Sequence, residues 1–166
     1  MTKVEELMTT HVAACTPGTS LASAAEMMWS ADCGLIPVVE DGKLCGVITD
    51  RDICIALGTR DRRASELCVS EVATQPVEAC EPDSDVHAAM SKMRKARVRR
   101  IPVVNPEGGL QGMLTLNDLI LAAERKHGAL DYEEVMNTLK AVSDHRSHER
   151  QQVQSATAGR QGAAVA

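Results

Sequence analysis

The sequence has no phenylalanine, and its only large aromatic residues are Trp29 and Tyr132. That excludes a stacking platform of aromatic rings, the device by which single-strand nucleic-acid binders hold bases. It also obliges the 44% of residues that are apolar to build an aliphatic core. An excess of positive charge is lacking too: 18 Lys and Arg stand against 23 Asp and Glu, a formal net charge of −5. A nucleic-acid partner is therefore not expected, because such partners are held by cations that displace the counterions of phosphate. No apolar run approaches the roughly 20 residues needed to span a bilayer. The opening MTKVEELMTT has neither an apolar signal core nor an Arg-rich amphipathic pattern, so a cytoplasmic protein without a membrane partner is expected. Six cysteines are present, but none forms a C-x-x-C pair or a zinc-type spacing. Lying in apolar or strand-like surroundings, they are expected to be small buried thiols.

What the sequence does contain is a repeat. Its 166 residues fall within the size of one domain and can bury about 70% of the surface of the unfolded chain. At an offset of 65 residues Glu6 falls on Glu71, Val12 on Val77, Cys15 on Cys80, Pro17 on Pro82, Ala24 on Ala89 and Met28 on Met93. Ile36-Pro37-Val38-Val39 falls on Ile101-Pro102-Val103-Val104 without a substitution. One inserted residue near Gly108-Gly109 moves the offset to 66, and Leu44, Gly46, Thr49 and Asp52 then meet Leu110, Gly112, Thr115 and Asp118. Internal symmetry on this scale constrains the whole fold.

Each copy reads as strand, helix, strand, strand, helix. An extended lead (Val12 to Cys15) ends at the Thr16-Pro17-Gly18 turn. A helix follows, with Leu21, Ala24, Ala25 and Met28 in copy one, and Val86, Ala89, Met90 and Met93 in copy two, spaced to face a core. Ile36 to Val39, an Asp41-Gly42 turn and Leu44 to Ile48 form a hairpin, and a helix starts near Asp50. So small a sheet cannot cover both faces alone, which predicts a mixed α/β (α+β) fold: two β-α-β-β-α copies packed about a pseudo-two-fold axis. The expected divisions are residues 1–60 and 61–125 for the copies, 126–145 for a helical extension and 146–166 for a polar, disordered tail. Gly58 to Arg63 reads as a polar linker, and in the extension Val135, Leu139 and Val142 share one helix face.

A duplicated unit with a Pro-Val-Val strand followed by Gly46-Val47-Ile48-Thr49-Asp50-Arg51-Asp52 resembles the CBS domain family over about residues 1–125. The first copy is especially similar to small bacterial two-repeat proteins of the hypoxic-response type, whereas Gly112-Met113-Leu114-Thr115-Leu116-Asn117-Asp118 is a looser match. The resemblance implies a pair of repeats forming a Bateman module, often a homodimer, which binds AMP, ADP, ATP, NAD or S-adenosylmethionine in clefts between repeats and signals to a protein partner. No catalysis and no obligatory cofactor are implied.

Local chemistry alone reads Thr49-x-x-Asp52 and Thr115-x-x-Asp118 as capping boxes at helix starts. The resemblance adds a second role, in which the hydroxyl contacts phosphate and the carboxylate accepts ribose hydroxyls. Positive charge for phosphate is available in copy two, where residues 92–100 hold six basic residues and no acid. Lys92, Arg94 and Lys95 read as a solvated helix face. Arg99 and Arg100, just before Ile101-Pro102, stand where the family often puts a pair against ligand phosphates, and an Arg fork suits that task. Copy one has Gly34 and Leu35 before Ile36 instead, which makes equal affinity at the two sites doubtful. The family's polar residue before the first proline maps onto Thr16 and Glu81; Glu81 would accept from an adenine amino group, or else is simply an exposed turn residue. Arg51 either reaches phosphate or faces water. The His145-x-x-His148 pair has a helical metal spacing but stands in the polar tail, and no metal site is expected there. Duplication of each candidate site favours binding over turnover. The competing reading is a structural dimerisation module that ignores nucleotides.

Overall fold

The computed structural model of the protein describes residues 2–123 and 130–144. In the first copy α1 (Leu21–Ser30) precedes β1 (Leu35–Glu40), β2 (Lys43–Thr49) and α2 (Asp50–Arg60). In the second, α3 (Val86–Ala96) precedes β3 (Arg100–Val104), β4 (Leu110–Thr115) and α4 (Leu116–Ala123), and α5 (Tyr132–Ser143) follows. Both first helices start on a side-chain cap: Ser20 accepts from the Ser23 amide and Asp85 from the His87 amide. β1–β2 and β3–β4 are antiparallel hairpins, the first closed by Asp41 and Gly42 at φ of 49° and 77°. Two positive φ values in a row suit the twist of a tight hairpin, and Gly42 takes the larger of them without Cβ strain.

The leading segments are shorter strands than the sequence pattern implies. Each contributes one parallel bridge, Cys15 to Val38 and Cys80 to Val103, where the hairpin register shifts. The Val39 amide donates to the Cys15 carbonyl (2.8 Å) and the Val104 amide to that of Cys80 (2.9 Å). The rest of each lead turns to the other copy. Thr9 and Met113 exchange both backbone hydrogen bonds (2.9 and 2.9 Å), and Thr74 and Val47 do the same (2.9 and 3.2 Å). Further upstream the Val4 amide donates to the Ser84 carbonyl while the Val69 amide donates to that of Thr19. A reciprocal set of this kind is what a pseudo-two-fold axis between the copies produces.

This reciprocity divides the core unexpectedly. One buried cluster holds Val4 together with Val86, Met90, Ile101 and Leu114 of copy two; the other holds Leu67 and Val69 together with Leu21, Ile36 and Ile48 of copy one. Each copy's opening turn thus fills its sibling's core. The crossing is tight at Gly112, where a Cβ would stand 2.6 Å from the Thr9 carbonyl oxygen.

Several sequence expectations need correction. Ala25 is exposed although its equivalent Met90 is fully buried, because α5 covers α3 and, among the described residues, no counterpart of α5 covers α1. Gly58, Thr59 and Arg60 belong to α2, which Thr59 prolongs by donating its hydroxyl to the Ile55 carbonyl (2.7 Å); the chain turns only at Asp61, with φ of 46°. Arg94 is not a solvated residue: it donates to the Thr138 hydroxyl (2.9 Å) and pairs with Glu134. Lys92 donates to the Ala79 carbonyl (2.6 Å), so of the three only Lys95 faces water alone. In the extension, Val135 and Val142 are buried and Leu139 half-buried against copy two, as the periodicity predicts. The polar tail and the His145-x-x-His148 pair lie outside the described residues.

Of the cysteines, Cys15 and Cys80 are buried, Cys33, Cys45 and Cys68 are half-buried and Cys54 is exposed. Burial pushes the Cys80 thiol from 9.0 up to about 11. The unfolded chain therefore releases this proton first, so stability is unaffected by Cys80 below pH 9 and falls as pH rises toward 11. The full interval corresponds to about 2–3 kcal/mol at 1.36 kcal/mol per pH unit. Urea unfolding at pH 8 and pH 10.5 should show most of that loss, and Cys80→Ala should reduce the pH dependence, leaving the part due to Cys15 and Cys45, whose thiols burial also pushes up; a pH dependence unchanged in the variant would disprove the assignment.

Candidate functional site

The two Thr-x-x-Asp boxes stand where β2 hands over to α2 and β4 to α4. In the first, the Thr49 hydroxyl and amide both donate to Asp52 Oδ2 (2.6 and 3.0 Å), and the Asp52 amide donates to Thr49 Oγ1 (3.1 Å). In the second, the Thr115 hydroxyl and amide donate to Asp118 Oδ2 (2.8 and 2.7 Å), and the Asp118 amide returns to Thr115 Oγ1 (3.3 Å). The capping function is therefore fulfilled in both copies. A carboxylate can only accept, so the hydroxyl proton of each Thr is committed to Oδ2 in this state. Oδ1 of each Asp is the acceptor left over for an external donor, and the four residues are only half-buried.

The surroundings of the boxes differ in charge. Gly34 accepts from the Asp50 amide (3.3 Å) and Arg99 accepts from the equivalent Leu116 amide (2.9 Å), so both pre-strand residues sit against a helix start. Across the hairpins, Leu35 pairs with Thr49 and Arg100 with Thr115. In copy two two exposed guanidinium groups, without an ion pair among the described residues, flank the box. Arg100 alternates with buried Ile101 along β3 and so projects from the opposite face of the strand. In copy one the same surroundings offer Gly34, Leu35 and buried Ile36, and the helix opens on Asp50 instead of Leu116. A Cβ on Gly34 would meet the Asp50 carboxylate at 2.8 Å. Asp50 thus puts negative charge at the place where copy two has none. The sequence reading missed this residue, although its signal was plain: Asp-Arg-Asp in one copy faces Leu-Asn-Asp in the other. Arg51 is exposed, its amide donating to Asp50 Oδ1 (2.7 Å).

Thr16 and Glu81 are not brought to the boxes. Each lies one residue past a parallel bridge, toward Glu40 or Val104, and therefore about 13 Å along the strand from the Leu35–Thr49 or Arg100–Thr115 pair. Thr16 closes a small turn with the Thr19 hydroxyl, and the Glu81 amide donates to Ser84 (3.3 Å) in the equivalent turn. Near the Glu81 end lies a cavity of about 570 Å³ on the seam between copies, lined by Leu44, Cys45, Gln75, Val77, Ala79 and Val104 among others. That volume suits a small organic ligand. None of its lining residues was a candidate site residue in the sequence, because it forms only where the lead of copy two crosses the hairpin of copy one. Among the described residues no group of three or more His, Cys, Asp or Glu is placed to hold a metal ion, and no helix is long and apolar enough to cross a membrane.

Comparison with known proteins places this geometry. The family model described as "CBS domain" matches residues 4–59 and again 69–125. The CBS domain-containing protein YhcV of Bacillus subtilis (strain 168) is 36% identical over 119 residues, which are 72% of this chain and 84% of that protein. Among solved structures, the CBS domain pair of protein MJ0100 in complex with 5′-methylthioadenosine and S-adenosyl-L-methionine aligns with a TM-score of 0.65 at 26% identity, covering 71% of this chain and 92% of that one. CBSX2 in complex with AMP aligns with a TM-score of 0.64 at 25% identity, covering 73% and 95%.

Proposed function

The chain belongs to the CBS domain family, and we propose that it is a regulatory module that takes an adenosine-containing ligand into a cleft of its paired repeats and reports it to a partner, without catalysing a reaction. The ligands named for the two solved relatives share only their adenosine part, so adenosine is the chemistry carried over to this chain. The observation that carries the proposal is the register pair Arg100–Thr115, which sets a guanidinium opposite a box whose Asp118 keeps a carboxylate oxygen for a ribose hydroxyl. Arg99 and Arg100 supply the charge for phosphate; the committed Thr115 hydroxyl joins them only if its proton swings away from Asp118.

Copy one is the weaker anion site in this reading, because Asp50 and Asp52 repel phosphate where Thr49 and the neutral residues Gly34, Leu35 and Ile36 remain. It suits a ligand without phosphate, such as S-adenosylmethionine. AMP, ADP, ATP and NAD are the candidates for copy two. The signal follows if the ligand binds one packing of the repeats better than another, and a homodimer is the assembly in which that packing would be read.

A melting screen tests this. A ligand at a hundred times its dissociation constant stabilises the fold by about 2.7 kcal/mol. We expect such a shift with at least one of AMP, ADP, ATP, NAD and S-adenosylmethionine. Indifference to all five would favour the structural dimerisation module instead. Running the screen at two salt concentrations separates base-selective binding from general attraction to polyanions, which falls steeply with salt.

A further inference from the structure

The internal repeat supplies a control for one patch of charge. Six of the chain's 18 Lys and Arg stand in residues 92–100, and without them 12 would face 23 Asp and Glu. Two of the six have partners within the fold: Lys92 donates to the Ala79 carbonyl, and Arg94 holds Glu134 and Thr138 of α5. Lys95, Arg97, Arg99 and Arg100 have no side-chain partner among the described residues. Their counterparts in copy one are Ser30, Asp32, Gly34 and Leu35, so the same helix, turn and strand entrance are built there without a single cation. Nor do the cations ease the local fold. Arg97 and Asp32 both follow their helices in the left-handed region, at φ of 54° and 48°. Asp tolerates that conformation better than Arg, because its short polar side chain can hydrogen-bond locally. The negative end of the α3 dipole attracts Lys95 and Arg97 but acts only about the last turn, which leaves Arg99 and Arg100 unexplained. Four like charges on one edge repel each other, and no described acid of copy two offsets that.

We propose that this edge of copy two, from Lys95 at the end of α3 to Arg100 at the start of β3, is a docking surface for a short acidic segment of a partner protein, and that the phosphate of a bound ligand competes with that segment for Arg99 and Arg100. The competition rests on the reading of the Thr115–Asp118 box as a nucleotide site; the docking surface does not. The edge is longer than the ligand needs. A phosphate at the box engages Arg99 and Arg100, whereas Lys95 and Arg97 lie back toward α3 and are left over. A row of carboxylates on an extended segment can use all four, because guanidinium forks donate paired hydrogen bonds to carboxylates and a lysine ammonium adds a point charge. A long polyanion fits less well. The 23 acids of the chain, against 12 bases outside the patch, repel any strand or anionic membrane that extends beyond it, and the chain has no aromatic platform on which bases would stack. A short acidic segment ends before it meets that field. An arriving phosphate then neutralises the Arg99 end and releases the segment, so the ligand is reported without any change in the packing of the repeats.

Fluorescence anisotropy of a labelled oligo-glutamate peptide, titrated with the full chain, tests this. The wild type should bind the peptide in low salt and release it as the screening length shrinks toward about 10 Å. Lys95→Ser combined with Arg97→Asp gives copy two the residues that copy one carries at the same turn, so the variant keeps a backbone already built once in this chain. It should weaken peptide binding by at least about 10-fold. Its melting temperature should stay near that of the wild type, and its affinity for AMP should change far less than its affinity for the peptide. A phosphate-bearing nucleotide that raises the wild-type melting temperature should displace the peptide, and uncharged adenosine should not. Absence of peptide binding in low salt, equal binding by the double variant, or tighter binding of a single-stranded oligonucleotide or of phosphatidylserine vesicles would overturn the proposal. So would a nucleotide that binds and leaves the peptide in place. If no nucleotide binds, while the wild type holds the peptide and the double variant loses it, the ligand reading fails and the docking surface stands.

Discussion

Val4→Asp is expected to destabilise the protein by about 4 kcal/mol or more, although residue 4 stands ahead of every regular element. The Val4 side chain is fully buried in the core of copy two, beside Val86 and Met90, and its amide is tied to Ser84. An aspartate there is a charge with no cation to meet it, one of the few mechanisms that produce losses of this size. The melting temperature should fall by roughly 10 °C. Glu5→Ala, one residue on at the surface and in a water-exposed pair with Lys3, should stay within about 0.5 kcal/mol of wild type. Urea unfolding followed by circular dichroism compares the two. Equal, small effects would mean that the opening turn is an ornament instead of a core element.

The second large effect concerns affinity. Replacing Arg99 or Arg100 with Ala should weaken binding of a phosphate-bearing adenosine ligand by about 10- to 100-fold each, the range for hydrogen bonds to charged groups. Binding of uncharged adenosine should hardly change, and stability should not change, since both side chains are exposed and unpaired among the described residues. Lys95→Ala is the proper control, because Arg94 holds α5 and its loss would confuse packing with binding. Asp118→Ala should weaken binding more than Lys95→Ala, but it also removes a cap and so costs about 0.5–2 kcal/mol of stability. Calorimetric titration must therefore be paired with unfolding for that variant. Equal affinities for the Arg and Lys95 variants would discard the site assignment.

Most of the architecture was readable because it is written twice. The alignment of Ile36 to Val39 with Ile101 to Val104 located both hairpins, and the Thr-x-x-Asp pattern located both helix starts down to their hydrogen bonds. The failures share a cause, which is contact with segments distant in the sequence. Ala25 matches Met90 in period but lacks α5 above it, so identical spacing gave buried and exposed residues. Arg94 looked solvated because its partners Glu134 and Thr138 are some 40 residues away. Val12 to Cys15 pairs through a single residue because the segment before it is drawn across the axis to Met113. Periodicity reports which side of an element is apolar; it is silent on what comes to cover that side. The same holds for the site, where Arg99 and Arg100 were visible as a local cluster but the cavity on the seam, and Asp50 as a repelling charge, needed the assembled fold.

The exchange of opening turns also bears on the origin of the chain. A lone unit of this type would expose the socket that Val4 or Val69 now fills while its own turn had nowhere to insert. Two such units on separate chains, each lending its turn to the other, would build the same body as a domain-swapped dimer. The duplicated chain is that dimer with its halves tethered. Its linker around Asp61 to Arg63 adds little by contact beyond the grip of Arg62 on Glu71 and the Glu66 carbonyl. Its main effect is to keep the two halves at high local concentration, so that a bimolecular assembly becomes a single folding event, independent of dilution. Freed from having to match, the surroundings of the two Thr-x-x-Asp boxes could then diverge in charge while the swapped frame stayed symmetric.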